Sequence, residues 1–194
     1  MSKQGLPGPN PVVRETYRDL EALLEDGDDV FVEEGPEVIQ QAIEDREFFD
    51  GVSTESAGGN GYTRSKVIGE PGKHVIRFME WAPGFSIFPH EHHGRPCFEV
   101  LVDGLLNVVD MDVAEADRND DLYEMDVIET KTTDPGEAAV VDPRITEIHS
   151  VYSPVRSRSL HVYPDDKYYT YGYVFEEKTQ DGEDLYRRKK FSMD

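Results

Sequence analysis

The sequence is poor in cysteine and in positive charge. It contains one cysteine, Cys97, and 20 basic against 41 acidic residues in a chain of 194. A single cysteine cannot form an intrachain disulfide, which favours a reducing compartment. The net charge of −21 argues against nucleic acids and anionic membrane surfaces as partners, because phosphate groups are bound mainly by cationic side chains. Such acidity promotes solubility and is typical of salt-adapted proteins.

Long apolar segments are also missing. No run of about 18 apolar residues is present, so we expect no transmembrane helix, and residues 1–11 lack the apolar core of a signal peptide. We therefore expect a cytoplasmic protein. The length is that of about one domain, and a chain of this size buries roughly 70% of its unfolded surface. We expect a monomer whose core needs no disulfide.

Apolar spacing predicts helices in the N-terminal part of the chain. Apolar residues recur at helical spacing over 13–24, and Gly27 is suited to end that helix. A second helical pattern is predicted to begin at Pro36 and to continue to Ile43. Residues 1–60 are therefore expected to form a tail and helices that pack on the remainder of the domain.

From Tyr62 onward the sequence predicts β structure. Short stretches rich in β-branched and aromatic residues alternate with turn signals such as Glu70-Pro-Gly and Asp134-Pro-Gly. This pattern is typical of a β-sandwich or barrel. The acidic segment 114–121 is predicted to be a solvated loop. The predicted strands are 62–68, 74–81, 85–89, 97–102, 105–113, 125–131, 138–141, 145–152, 159–163 and 168–176.

Histidines suggest a metal site. His90 and His92 are two residues apart, so on a strand both imidazoles face the same side. His149, on a distant predicted strand, is the best third ligand. Three neutral imidazoles that leave coordination positions open suit Fe, Zn, Cu or Ni. His93 is expected at the surface or behind the ligands, and His74 is expected to be exposed.

A family resemblance rests on the spacing around these histidines. Gly84, His90, His92 and Gly104 resemble the first cupin motif, in which a glutamate follows the His-x-His pair. Here Cys97 occupies the glutamate position. That replacement resembles the cysteine dioxygenase family, and the stretch 81–98 is similar to that family's core motif.

The resemblance extends over nearly the whole chain. Arg64 lies upstream of His90 at the family's spacing. The segment Ser159-Leu-His-Val-Tyr is similar to the family's Ser-x-His-x-Tyr segment, and Ser159, like the histidine and tyrosine of that segment, is implied to contribute to catalysis. Trp81 occupies the family's tryptophan position and is expected to pack near this segment.

The resemblance implies a fold and a reaction. The fold is a mainly β cupin-type barrel with N-terminal helices, in which residues 61–194 form the catalytic unit of one domain. The reaction is the oxidation of L-cysteine by O2 to cysteine sulfinate at a non-haem Fe(II) site. The implied iron ligands are His90, His92 and His149, without a carboxylate ligand.

Further roles are implied for the residues around the iron. Arg64 offers a planar fork that matches the carboxylate of the substrate, and Tyr62, on the same strand face, would help to hold it. In the family the sulfur at the position of Cys97 and the ring at the position of Tyr163 form a thioether crosslink. His161 would orient the hydroxyl of Tyr163 through a hydrogen bond.

Other functions remain open from the sequence. The same chemistry can act on 3-mercaptopropionate or another small thiol, although enzymes for 3-mercaptopropionate typically carry glutamine at the position of Arg64. A non-catalytic cupin that binds a small molecule is a further alternative. Sugar isomerases and other cupin dioxygenases usually keep the motif glutamate that Cys97 replaces here. Glu99 shares a strand face with Cys97 and is predicted to lie behind the site or at a sheet edge.

Overall fold

The computed structural model describes residues 8–53, 57, 61–117, 122–165 and 169–192. Helices α1 (Pro11–Asp26) and α2 (Asp28–Glu44) and a 3-10 turn (Arg46–Phe49) precede the strands. In the described part of the chain, no helix has the length and apolar character needed to span a membrane. The strands are β1 (Tyr62–Gly69), β2 (Val75–Trp81), β3 (Phe85–Glu91), β4 (Cys97–Asp103), β5 (Leu106–Asp117), β6 (Leu122–Thr133), β7 (Ala138–Val141), β8 (Ile148–Ser153), β9 (Ser157–Tyr163), β10 (Tyr169–Lys178) and β11 (Asp184–Ser192).

Helix α1 confirms the helix predicted over 13–24; it begins two residues earlier, at Pro11, and ends at Gly27 as predicted. The side chain of Asn10 accepts a hydrogen bond of 2.9 Å from the backbone N–H of Val13, which satisfies one free donor of the first turn. Gly27 ends the helix in a backbone conformation with a φ of 139°, which favours glycine. The buried face of α1 includes Val13, Tyr17 and Leu20.

The prediction that the second helix begins at Pro36 is wrong. Helix α2 begins at Asp28, and the negative charges of Asp28 and Asp29 in its first turn interact favourably with the positive end of the helix dipole. It continues through Pro36, although an internal proline removes a backbone hydrogen bond, because Phe31 and other apolar residues of α2 are buried against the sheet. Gly35 allows the close approach, since a Cβ atom there would lie 2.6 Å from the ring of Phe98.

Most predicted strands are present, with two differences. The predicted loop at 114–121 is wrong for its first part, because β5 extends to Asp117 and pairs with β6 along the whole hairpin; residues 118–121 lie outside the described residues. Strand β11 was not predicted, because Asp184–Ser192 is dominated by charged side chains and lacks a clear apolar alternation. It forms through its long antiparallel pairing with β10.

The strands form two sheets, and most consecutive strands lie in different sheets. One sheet has the order β1-β2-β9-β4-β7, and the other closes on itself in the order β10-β11-β6-β5-β8-β3. From β2 to β10 the chain passes back and forth between the two sheets, except where β5 and β6 form a hairpin within the closed sheet. This alternation is the jelly-roll pattern, and it confirms the predicted mainly β, cupin-type fold with N-terminal helices.

The open five-stranded sheet has two different faces. Its outer face packs against the helices through a cluster that includes Tyr17, Phe31, Phe78, Phe98, Leu160 and Val162. Its inner face packs against the closed sheet through Met79, Trp81 and Leu101, which contact Leu106, Val108 and Val151. Since directly opposed residues of antiparallel strands share a face, the inner face also carries Ser159, which lies opposite Met79.

The expectation that His74 is exposed is wrong. Only 2% of its surface is accessible, because α1 covers the start of β2. Its ring stacks on Tyr17 with centroids 3.8 Å apart, and its Nε2 lies 2.9 Å from the carbonyl oxygen of Tyr17. Burial lowers the pKa of His74, so this histidine acts as a neutral hydrogen-bonding link between helix and sheet.

Gly104 of the cupin-like motif provides a test of the fold. Its φ is 91°, and a Cβ atom there would collide with the Ser157 side chain and lie 2.5 Å from the carbonyl oxygen of Arg156. Gly72 has a similar φ of 76° but open space around it. An L-residue in this region costs about 1–2 kcal/mol, so Gly72→Ala should lose about that much stability. Gly104→Ala should lose at least about 2 kcal/mol more, as measured by urea unfolding; equal losses would contradict the steric account.

Candidate metal centre

Three histidines converge on the face of the closed sheet that is turned toward the open sheet. His90 on β3 lies directly opposite His149 on β8 in the antiparallel register. His92 follows the end of β3, where its backbone N–H donates a hydrogen bond of 3.0 Å to the carbonyl of Glu147. The predicted third ligand therefore reaches the His90–His92 pair through the pairing of β3 with β8.

The three imidazoles form a group that could hold a metal ion. One ligand nitrogen from each ring lies within 4.8 Å of the others, and Nε2 of His92 is 3.1 Å from Nε2 of His149. Two nitrogens that each bind a metal at about 2.0–2.1 Å lie roughly 3.0–3.4 Å apart at ordinary coordination angles. Nδ1 of His90 lies 3.1 Å from the carbonyl oxygen of Phe88. When Nδ1 donates to that carbonyl, the lone pair of Nε2 is free for a metal.

Burial keeps the triad in the ligating form. Desolvation lowers the pKa of His90 to about 4, and it lowers the pKa values of His92 and His149 well below the usual range, with smaller contributions from the neighbouring imidazoles. At neutral pH the three rings are therefore uncharged and their lone pairs are available. Metal binding requires this protonation state.

A cavity of about 40 Å³ adjoins the triad. A site for a single water needs about 10–15 Å³, so this cavity can hold a few water-sized groups. The histidines in its walls are His90, His92 and His93. The walls also include Arg64, Arg95, Pro96, Cys97, Tyr163 and Asp165. Three residues predicted from sequence to act beside the metal, namely Arg64, Cys97 and Tyr163, thus border the same space.

Arg64 is suited to bind an anion in this cavity. Its Nε and Nη1 atoms are buried and have no hydrogen-bond partner among the described residues. The guanidinium carbon lies 5.0 Å from the centroid of the Tyr163 ring. A buried guanidinium with free donors is costly unless it gains an acceptor, and a carboxylate matches its fork.

Cys97 and Tyr163 approach the same ligand ring. The sulfur of Cys97 lies 3.0 Å from Nδ1 of His92, and the ring of Tyr163 is nearly parallel to that of His92 at a centroid distance of 6.1 Å. Burial raises the pKa of Cys97 well above its usual value, so the side chain is a neutral thiol. It can accept a hydrogen bond from Nδ1–H of His92 when Nε2 binds a metal.

A hydrogen-bonded chain continues from Tyr163 into the inner face of the open sheet. The hydroxyl of Tyr163 lies 3.3 Å from Nδ1 of His161, and Nε2 of His161 lies 2.8 Å from the hydroxyl of Ser159. The indole N–H of Trp81 donates to the same hydroxyl over 2.9 Å. Burial raises the pKa of Tyr163 to about 12 and lowers that of His161 to about 3, so both are neutral at pH 7. These contacts join Trp81, Ser159, His161 and Tyr163 into one chain, and its role in orienting the hydroxyl of Tyr163 during catalysis stays a prediction.

Two predicted positions lie at the edge of the site. Tyr62 does not line the cavity; its ring stacks on Trp81 with centroids 5.5 Å apart, and it is 38% exposed. His93, with a φ of 58°, borders the cavity and has Nε2 3.2 Å from the carbonyl of Tyr169.

Sequence analysis did not identify the cavity residues Arg95 and Asp165. Their side chains approach to 3.9 Å although the residues are far apart in sequence. The only local signal is the position of Arg95 within the motif stretch that ends at Phe98. Asp165 lies two residues after the end of β9 and lines the cavity.

Comparisons with known proteins were made by sequence and by structure. No family model and no curated protein match the chain. Similar solved structures include the polyketide cyclase RemF from Streptomyces resistomycificus, with 20% identity over 64% of this chain and 79% of that one and a TM-score of 0.44. An RmlC-like cupin from Shewanella frigidimarina has 18% identity over 60% of this chain and 88% of that one, with a TM-score of 0.44.

A third solved structure, KdgF from a Halomonas species, has 15% identity over 56% of this chain and 84% of that one, with a TM-score of 0.41. At these identities and TM-scores, the similarities carry no argument about the activity of this chain. The candidate site therefore rests on its own geometry.

The triad predicts metal binding that depends on each histidine. The wild-type chain, loaded anaerobically with Fe(II) and desalted, should retain about one iron per chain by elemental analysis. His149→Ala should lose most of that iron, because two imidazoles remain. The matched control is His93→Asn, since His93 lies outside the triad and asparagine tolerates its positive φ. Full iron retention in His149→Ala would show that His149 is not a ligand.

Proposed function

We propose that this protein is a non-haem iron thiol dioxygenase that oxidises L-cysteine with O2 to cysteine sulfinate. The observation that carries the proposal is the shared cavity. His90 and His92 of the neutral triad, a buried guanidinium with free donors and a tyrosine held by a hydrogen-bonded histidine border it. His149 completes the triad beside this cavity. The reaction adds both oxygen atoms of O2 to the substrate sulfur, so the thiol becomes a sulfinic acid without another reductant.

The donor set suits this chemistry. His90, His92 and His149 would hold an iron ion through three uncharged imidazoles. Such a donor set would leave the charge of the ion unneutralised and would leave room for an anionic thiolate and for O2. The position of the usual motif glutamate is occupied by Cys97, whose thiol is neutral and lies beside His92. No carboxylate from that position therefore competes with the thiolate of the substrate.

Arg64 supports the binding and orientation of an amino-acid substrate. Its free donors lie on the cavity wall, where they can take the carboxylate in a bidentate pair. Anchoring the carboxylate at one side of a small cavity directs the thiol of the same molecule toward the triad. Such fixed orientation contributes several kcal/mol to rate in well-aligned sites.

Tyr163 supports proton control at the reacting sulfur. Its phenol stays protonated because burial raises its pKa to about 12, and His161 holds its oxygen through Nδ1. The hydroxyl can therefore donate a hydrogen bond to developing negative charge in the cavity. Hydrogen bonds aimed at developing charge are among the strongest catalytic contributions.

The role of Arg64 predicts substrate selectivity. A charge-assisted bidentate pair contributes about 2–3 kcal/mol, which corresponds to about 30- to 150-fold in kcat/KM. In O2-consumption assays of the iron-loaded protein, cysteine should exceed cysteamine, which lacks the carboxylate. Arg64→Ala should lower the rate with cysteine by that factor and leave the rate with cysteamine nearly unchanged.

Two controls sharpen this assay. Arg64→Lys keeps the charge without the fork and should fall between the wild type and Arg64→Ala. The exposed ion-pair residue Arg158 supplies a surface control, and Arg158→Ala should not change the preference. A higher kcat/KM with 3-mercaptopropionate than with cysteine would change the assigned substrate. Absence of O2 uptake with cysteine, cysteamine and 3-mercaptopropionate would reject the dioxygenase.

The approach of Cys97 and Tyr163 to His92 supports a thioether crosslink. Coupling of the thiol sulfur to the phenol ring removes one hydrogen from each side chain, and O2 is the oxidant. After incubation with iron, cysteine and O2, proteolytic mass spectrometry should show the two peptides joined and lighter by the lost hydrogens. Tyr163→Phe and Cys97→Ala should show no joined species. Unlinked peptides after many turnovers would reject the crosslink and leave the dioxygenase untouched.

A further inference from the structure

Glu99 is a buried carboxyl group for which the proposed mechanism has no use. It lies on β4 directly opposite His161 on β9, so the two side chains share the inner face of the open sheet. Glu99 is 2% exposed and His161 is 6% exposed. Oε2 of Glu99 lies 3.2 Å from Nε2 of His161, yet neither carboxyl oxygen has a well-aligned hydrogen bond within the described residues.

Several charged groups face this pair from the surrounding strands. Asp110 on β5 and Lys131 on β6 act on Glu99 with opposite signs. Arg77 on β2 lies opposite His161 in the register, and the neutral thiol of Cys97 lies two residues from Glu99 on the same strand face. Burial, reinforced by Asp110 and opposed by Lys131, raises the pKa of Glu99 to about 8. Glu99 is therefore protonated at neutral pH and ionises just above it.

The hydrogen-bonding groups around His161 permit two positions for its ring proton. The hydroxyl of Ser159 accepts a hydrogen bond from Trp81, so its own proton is free to be donated. Nε2 of His161 lies near both that hydroxyl and the carboxyl of Glu99. If Nε2 carries no proton, it accepts a hydrogen bond from one of these two neighbours; if it carries a proton, it donates to an ionised Glu99. Because His161 is uncharged, it carries one ring proton. Whenever Nε2 lacks that proton, Nδ1, beside Tyr163, carries it.

We propose that Glu99 is a positioning residue that selects the tautomer of His161 and thereby the direction in which the hydroxyl of Tyr163 donates. With Glu99 protonated, Nε2 accepts, Nδ1–H donates to the oxygen of Tyr163, and the phenol proton points into the cavity. With Glu99 ionised, Nε2–H donates to the carboxylate, and Nδ1 accepts the phenol proton. The phenol is then no longer a donor to the cavity.

The change between the two arrangements releases one proton. The proton of Glu99 passes to Nε2 of His161, the proton of Nδ1 passes to the oxygen of Tyr163, and the phenol proton leaves through the cavity. The new phenol proton then points toward Nδ1. His161 and Tyr163 are neutral before and after, and the single negative charge resides on Glu99.

Histidine NMR tests the tautomer directly. The chain is labelled with 15N-histidine and loaded with Zn²⁺ as a diamagnetic probe; His161 is not a predicted ligand, so its signals can be followed whether or not zinc is retained. The signals are assigned by their loss in His161→Gln. From about pH 6 to about pH 10, His161 should change from the Nδ1–H to the Nε2–H tautomer, with a midpoint near the pKa of about 8 for Glu99.

Variants of Glu99 should remove this change. Glu99→Gln keeps the shape and Glu99→Leu removes the polar group, so in both the tautomer should be independent of pH. The matched control is Glu80→Gln, because Glu80 is another buried glutamate, 8% exposed, that instead contacts Arg156. This control should keep the wild-type change. A single tautomer in the wild type over the whole range, or a change that persists in Glu99→Gln, would overturn the proposal; the wild-type titration decides even if a variant fails to fold.

The catalytic consequence rests on the proposed function, and the two can fail separately. If the protein oxidises cysteine, kcat should fall above about pH 8 in the wild type as Glu99 ionises, whereas this fall should be absent in Glu99→Gln. A tautomer change without O2 uptake would reject the dioxygenase and support the role of Glu99. O2 uptake without a tautomer change would reject the role of Glu99 and leave the dioxygenase supported.

Discussion

The antiparallel pairing of β3 with β8 is the constraint on which the site depends. It places His90 opposite His149 on the face that meets the open sheet. Desolvation there keeps the imidazoles neutral, because it disfavours their charged forms. The same pairing therefore supplies both the geometry of the triad and the protonation state that a metal requires.

The two faces of the open sheet lie in different environments. Its outer face is apolar and covered by α1 and α2, so its burial stabilises the domain. Its inner face mixes apolar residues with polar side chains that face the triad. Unpaired polar groups in such a place are costly, and the bonds from Trp81 through Ser159 and His161 to Tyr163 offset much of that cost. Arg64 and Glu99 are two exceptions, because each has buried polar atoms without a hydrogen-bond partner among the described residues.

The guanidinium of Arg64 and the carboxyl of Glu99 have different roles in the same site. The free donors of Arg64 border the cavity, so a ligand can satisfy them. The carboxyl of Glu99 lies behind His161 and, instead of binding a ligand, adjusts by taking up or releasing a proton. A guanidinium does not lose its charge in proteins, whereas a carboxyl readily does. Residue chemistry thus explains why one group is suited to hold substrate and the other to tune a neighbouring histidine.

Predictions from sequence were reliable where they depended on the spacing of residues close together in the chain. The two-residue spacing of His90 and His92 and the helical spacing that ends at Gly27 both correspond to the structure. Local signals misled where packing from distant residues prevails. Pro36 lies inside a helix that the sheet stabilises, and His74 is buried because α1 covers it.

The sequence by itself determined the mainly β architecture, the histidines able to meet on one strand face and the positions that resemble a thiol dioxygenase. Alternation, turn residues and motif spacing are local properties, and they are legible in one chain. Only the tertiary structure decided that His161 faces Glu99, that Tyr62 packs away from the cavity and that Asp165 joins its wall. These relations depend on strand register and on chain reversals between distant segments, and a change of one residue in register would turn each side chain to the other face.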